Sequence, residues 1–261
     1  MAVQKDFLYG EGNEKKIKTS PLLGQEIVTG SKEELLRAAA SLLGRGGAIS
    51  TPNPIMLTEA LRNEQLSVAL SRSLNIPDGV GIARAFAKRG IYTEVFPGVE
   101  LAESLLRLGS FSLGIIGGKA GVAALAMAYL KATHSGTSEA FVMDGYSYKK
   151  EELVTSLEKT SPDIVFVCLG TPSQEILISE LLPISPRTLF IGLGGSADIY
   201  SGTKRRAPKV FRKMGLEWLY RILSEPRRIK NIPALLDFLA LTRLERRKNA
   251  KGKGGRSLYR G

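Results

Sequence analysis

The chain has 261 residues, 43% of them apolar and 24% charged, enough to bury a sizeable core, which excludes a disordered or fibrous protein. Its single cysteine, Cys168, excludes an intrachain disulfide, and no run of about 18 uninterrupted apolar residues is present to cross a bilayer. The net charge of +12 is gathered at one end, because residues 204–261 carry 18 Lys/Arg against 4 Asp/Glu, a surplus larger than that of the whole chain. Such a segment suits nucleic acid or an anionic lipid surface, or is a solvated tail, and charge alone leaves all three open. The start, MAVQKDFLYGEGNEKK, is polar and lacks the apolar centre of a signal peptide, so a reducing cytoplasmic setting is expected.

Through residues 33–195 short apolar runs alternate with helical patterns. That alternation predicts a Rossmann-like α/β domain over residues 1–203, with a mostly parallel sheet covered by helices on both faces. GAIST at 47–51 reads as a strand followed by a helix over 55–62, and LGIIG at 113–117 as another, followed by an alanine-rich helix over 122–132. DIVFVCL at 163–169 and TLFIGL at 188–193 are near-continuous apolar runs and belong at the centre of the sheet. After Pro208 the character changes: Phe211, Met214, Trp218 and Ile222 share one helix face, and Pro226 ends that helix. A second amphipathic stretch over 232–244 sets Leu235, Leu236, Phe238 and Leu239 beside Arg243, Arg246 and Arg247. Residues 204–248 are therefore expected to form a basic helical C-terminal appendage and 249–261 a disordered basic tail. Its first helix is expected to dock on the sheet and its second to lie at a membrane interface.

Ligands of an open parallel sheet bind outside the carboxyl ends of the strands, so the segments after each run carry the search for a site. In TPNP at 51–54, Thr51 and Asn53 either hydrogen-bond a ligand or cap the next helix. GTPSQE at 170–175 offers Gln174, a carboxylate and helix-terminal N–H groups suited to a diphosphate, and Gly195 and Ser196 follow the last strand. Gly118 lies in GGKAG, a loop without the spacing of a P-loop, and no GxGxxG is present, which counts against nucleotide hydrolysis and nicotinamide binding. With one histidine, His134, and Cys168 inside a strand, a His-based triad, a Cys–His pair and a zinc cluster are all excluded, leaving carboxylates for acid–base chemistry. Asp78, in IPDGVG at 76–81, is either held at a cleft by its proline and glycine neighbours or serves as a turn cap, and Asp144, Asp163 and Asp198 are lesser candidates.

TPNP at 51–54, PDGVGI at 77–82, PGVEL at 97–101, GGKAGVA at 117–123 and DGY at 144–146 are followed by PDIVFVCLGTPSQE at 162–175, IGLGGSADIYSG at 191–202 and KRRAPKVFRKMGLEWLYRILSEPRR at 204–228. In this order, over roughly residues 22–236, they resemble the WecG/TagA/CpsF family of bacterial glycosyltransferases. The resemblance implies an inverting, metal-independent transferase that uses no cofactor and moves N-acetylmannosamine from its UDP donor to GlcNAc-diphosphate-undecaprenol, for teichoic acid linkage units or related polymers. It implies Asp78 as the catalytic base, Thr51 and Asn53 as substrate contacts beside it, and Gln174 as a hydrogen-bond partner of donor or acceptor. Gly118, Gly170, Gly195 and Ser196 are the binding candidates at the strand ends. No Asp-x-Asp is present to hold a metal, so cations from Lys204, Arg205, Arg206, Arg221, Arg227 and Arg228 are expected to meet the diphosphates. The implied partners are a UDP-sugar, a polyprenyl-diphosphate-linked acceptor and the anionic inner face of the plasma membrane, with an oligomer left open and no nucleic acid.

The chain departs from its relatives at three places. Val95 stands where an Arg is common, Asn231 where some are basic, and Leu177 where many carry Trp, so another donor or acceptor sugar is the first alternative. A basic nucleic-acid-binding protein lacks interleaved aromatics, a nicotinamide-dependent oxidoreductase lacks its glycine fingerprint, and a non-catalytic scaffold requires Asp78 to be dispensable.

Overall fold

A computed structural model of the protein describes residues 16–208, 210, 211, 214 and 217–254, without the side chains of 227, 228 and 249–254. The first element is a hairpin: β1 (Thr19–Leu22) and β2 (Gln25–Val28) pair antiparallel across Leu23 and Gly24. Their φ values of 49° and 82° are the two left-handed positions a tight hairpin requires. Then follow α1 (Lys32–Ala40), β3 (Gly47–Ser50), α2 (Pro54–Ala60), α3 (Glu64–Ser71), β4 (Leu74–Asn75), α4 (Val80–Ala87), α5 (Gly98–Leu106), β5 (Phe111–Gly117) and α6 (Val122–Thr133). The alternation continues with β6 (Thr137–Met143), α7 (Lys150–Thr160), β7 (Ile164–Cys168), α8 (Ser173–Leu181), β8 (Leu189–Gly192) and α9 (Ser196–Tyr200).

Six strands form one sheet in the order β4-β3-β8-β7-β5-β6, and every neighbouring pair is parallel. The apolar runs β7 and β8 lie in its middle, every residue of both buried, because a two-sided cover leaves neither face for water. Alternation along a strand divides the interior in two. Ile164, Phe166, Leu189 and Ile191 pack with α1, α5, α6 and α9, while Val165, Val167 and Phe190 pack with α7 and α8. The α/β class and the helix-covered parallel sheet are thus as the sequence implies.

A third cluster joins the hairpin to α2, α3 and α4 and includes Phe238, which is fully buried. Phe238 belongs to α11 (Ile232–Gly254), which follows α10 (Glu217–Ser224) and a 3-10 turn over Pro226–Asn231. The helix expected to lie at a membrane interface is therefore the one that docks. No residue of α10 is buried, whereas α11 inserts Phe238 between α2 and α4, accepts a hydrogen bond from Thr58 Oγ1 at the Ala234 carbonyl (3.2 Å) and pairs Asp237 with Arg62 (2.7 Å). One buried aromatic contributes about 2–3 kcal/mol, enough to seat a helix whose Leu236, Leu239 and Leu244 remain exposed. The helix continues to Gly254, across part of the segment expected to be a disordered tail, and residues 255–261 lie outside the described residues. Among the described residues no helix is long and apolar enough to cross a membrane.

Candidate active site

Two loops at the carboxyl ends of neighbouring strands bring the first side chains together. After β3, Asn53 caps α2, its Oδ1 accepting from the backbone N–H of Ile55 (2.9 Å) and Met56 (3.1 Å), and Pro54 occupies the first turn. After β4, the Asp78 N–H donates to the Pro52 carbonyl (2.9 Å) and the Phe96 N–H to the Pro77 carbonyl (2.8 Å), which clamps the turn from both sides. Gly79, at a φ of 89° that disfavours any side chain, turns the backbone into α4. No side chain caps α4, and the Asp78 carboxylate has no hydrogen bond among the described residues. The turn-cap reading of Asp78 is therefore not what its side chain does.

Asp78 opens instead on a cavity of about 720 Å³, bounded by the starts of α2, α4 and α5 on one side and by α10 and α11 on the other. Burial raises its carboxyl to about 6. Arg221 and Arg206 pull it down, while Glu217 and Glu100 push it up. By surface area the residue is only partly buried, since its free side faces the cavity, so the shift reflects a confined rather than a sealed group. Above that value the carboxylate is ionised and able to take a proton.

The two arginines are themselves held. Arg206 Nη2 donates to Glu100 Oε1 (2.7 Å), Lys32 Nζ reaches Glu100 Oε2 (2.9 Å), and the buried Arg206 Nε keeps no partner. Burial acts to raise Glu100, but hydrogen bonds from Lys32 and Arg206 outweigh it and the carboxyl ends below its ordinary value. Arg221 Nη2 pairs with Glu217 one helical turn away (2.7 Å). Lys32 also lies over the Phe96 ring, 5.4 Å from its centre.

Of the site residues singled out from sequence, Asp78, Asn53, Arg206 and Arg221 line this cavity. Thr51 does not: it is buried, with Oγ1 donating to the Gly192 carbonyl (3.3 Å) and tying β3 to β8. Gln174 is also buried away from the cavity. Its Oε1 accepts from the N–H groups of Gly170 (3.2 Å) and Gly194 (2.8 Å), and its Nε2 donates to Glu175 (2.6 Å), so it pins the turns after β7 and β8 together. Burial raises Glu175 to about 7, against the lowering effect of the Gln174 amide. Ser196 is buried on the Leu193 carbonyl (2.6 Å), and Gly195 precedes α9. Gly118 accepts from Gly145 at the end of β5, where an added Cβ would lie 2.4 Å from Val122. Arg205 is exposed, and its neighbour Arg206 is the residue that turns inward. The Arg228 side chain lies outside the described residues.

Sequence reasoning missed Lys32, Glu100, Glu217 and Trp218. Glu100 stood inside the PGVEL run, but nothing in a linear reading shows that it bridges a lysine 68 residues before it and an arginine 106 after it. Two of the three noted departures, Val95 and Asn231, line the cavity, whereas Leu177 is on the buried face of α8, in the core.

A helix-covered parallel sheet carries an unbonded carboxylate and two arginines on one cavity, and sequence comparison gives the class of the protein. A family model described as the glycosyl transferase WecG/TagA/CpsF family matches residues 21–252, and the chain belongs to that family of glycosyltransferases. The chain is similar to the N-acetylglucosaminyldiphosphoundecaprenol N-acetyl-beta-D-mannosaminyltransferase of Bacillus spizizenii strain W23, at 31% identity over 212 residues that cover 79% of this chain and 82% of the relative.

Proposed function

We propose that the chain transfers N-acetylmannosamine from UDP-N-acetylmannosamine to N-acetylglucosaminyl-diphospho-undecaprenol, with inversion and without a metal. The printed activity of the relative supports the acceptor and the transferred sugar. The observation that carries the mechanism is Asp78, with its unbonded carboxylate, sharing one cavity with Arg206 and Arg221. An acceptor hydroxyl gives its proton to Asp78 as its oxygen attacks the anomeric carbon from the face opposite UDP. The bond to the UDP oxygen breaks on the other side, and its electron pair leaves with the diphosphate, whose growing charge the two guanidinium groups offset. The sequence has no Asp-x-Asp pair, which leaves the arginines as the source of that positive charge.

The apolar side chains Leu223 of α10, Ile229 of the 3-10 turn and Leu236 of α11, exposed away from the cavity in a basic segment, support a peripheral position on the inner face of the plasma membrane. Release of UDP from UDP-N-acetylmannosamine, followed with and without a GlcNAc-diphosphate-lipid and with and without EDTA, tests the reading. Acceptor-dependent release that survives EDTA is expected, and acceptor-independent or EDTA-abolished release overturns it. A second reading, transfer of a different UDP-sugar, is favoured by Val95 and Asn231 standing on the cavity wall, and a panel of UDP-sugars in the same assay separates the two.

A further inference from the structure

Five cationic side chains line the cavity, and they are not equivalent. Lys32 and Arg206 are bound to Glu100, and Arg221 to Glu217. Arg84 and Lys88 have no carboxylate partner among the described residues, although both stand on its wall. Two unneutralised cations on one wall of a concave site, both reaching solvent, raise its potential for an anion in a salt-dependent way.

Their position in the helix says which anion. Val80, Arg84 and the C-cap residue Lys88, still in helical conformation, recur every four residues along one side of α4, which begins two residues after Asp78. At about 1.5 Å per residue, Arg84 stands about 6 Å and Lys88 about 12 Å along the axis from the start of the helix. That is roughly one sugar ring and then one diphosphate away from the base. The wall across the cavity is apolar, built by Ile222, Ile232, Leu235 and Leu239, and Ile232 and Leu239 are also open to solvent, exposed at 37% and 48%. A ligand matching this order has a hydroxyl at Asp78, a polyanion at Arg84 and Lys88, and a hydrocarbon chain beside α11.

We propose that Arg84 and Lys88 form the binding site for the diphosphate of the lipid-linked acceptor, so that α4 measures the distance from the reacting hydroxyl to the diphosphate. The inference rests on the transferase reading above for the identity of the acceptor, but the site itself is a prenyl-diphosphate site. It separates the duties of the cations: the arginines close to Asp78 meet the departing nucleotide, and those further along α4 hold the acceptor.

The lone tryptophan, Trp218, lines the same cavity, so its fluorescence reports occupancy without any turnover. Farnesyl diphosphate and farnesol are titrated into the full chain, its Arg84→Ala/Lys88→Ala double variant and the charge-keeping Arg84→Lys/Lys88→Arg variant. Thermal melts establish that each variant is folded. Farnesyl diphosphate is expected to bind the wild type with a salt-dependent affinity that falls about tenfold or more in the alanine variant and is largely kept in the charge-keeping one. The weak binding of farnesol is expected to be unchanged. Equal affinity of wild type and alanine variant for farnesyl diphosphate overturns the proposal. Loss of binding to phosphatidylglycerol vesicles in the alanine variant, with farnesyl diphosphate binding intact, also overturns it by assigning the two cations to the membrane surface. Because this titration contains no donor sugar, a failed transferase assay beside a positive titration rejects the functional reading and keeps the site. The reverse pattern rejects the site alone.

Discussion

Replacing Asp78 with asparagine is expected to abolish transfer and, at the same time, to stabilise the protein. The carboxyl rises from 3.8 to about 6 on folding, chiefly by burial. The folded state therefore disfavours the charged form by about two pKa units, which at full burial is worth ~3 kcal/mol. Because one side of the group faces the open cavity, the cost is smaller, about 1–2 kcal/mol. It is present in full above the folded value, shrinks as pH falls from about 6 and is gone below the unfolded value of 3.8. Asparagine has the same shape and no charge to bury. Urea denaturation of Asp78→Asn against wild type should accordingly show the variant more stable by about 1–2 kcal/mol at pH 8, a gain of about 2–4 °C in melting temperature per kcal/mol, and no gain at pH 4. UDP release by the same variant should fall by about 10²–10⁴. A variant that is no more stable at pH 8 shows that the carboxylate is not confined, and one that keeps its activity removes Asp78 as the base.

Other expectations follow from contacts around the cavity. Arg206→Ala should lower kcat by about 10²–10³, with Arg206→Lys recovering only part, because a single ammonium cannot hold Glu100 and a diphosphate as a guanidinium does; steady-state kinetics read this directly. Phe238→Ala should cost about 3–5 kcal/mol in urea denaturation or, if α11 separates first, appear as protease cleavage near Ile232 with the sheet still folded. Gly81→Ala places a Cβ 2.7 Å from Pro54 Cγ and should cost about 1–3 kcal/mol, with KM raised because α4 shifts against the cavity. Gln174→Ala should act mainly through stability, about 1–3 kcal/mol, since the Gly170 and Gly194 N–H groups lose their acceptor, and a large kcat loss at unchanged stability would instead place Gln174 on the substrate.

What could be read from the sequence follows from how each signal is carried. β7 and β8 declare themselves because five and four successive buried residues leave a continuous apolar run. β6 does not, since three polar residues precede the four apolar ones of its TSEAFVM sequence and only Thr137 and Phe141 of this edge strand are buried, and the two-residue β4 is too short to leave a pattern. The β1–β2 hairpin is hidden by Pro21 within a strand and by Leu23 at a positive φ, a residue that no turn rule favours. Asp78 was legible because its proline and glycine neighbours act locally on the backbone. Lys32 and Glu100 were not, because their link to Arg206, itself named from sequence, is a three-way ion network closed only by the fold. The docking of α11 was not legible for a similar reason: both helices are amphipathic, and only the folded contact of Phe238 with α2 and α4 shows which of them inserts a large side chain.

The pH dependence of kcat/KM for sugar transfer by the full chain, measured from pH 4.5 to 8.5 with a GlcNAc-diphosphate-lipid acceptor, bears most directly on whether Asp78 is the base. An acid limb that falls about tenfold per pH unit below an apparent pKa near 6 is the expected result, since only the ionised carboxylate can accept the acceptor proton. A profile that stays flat down to pH 4.5 would contradict it.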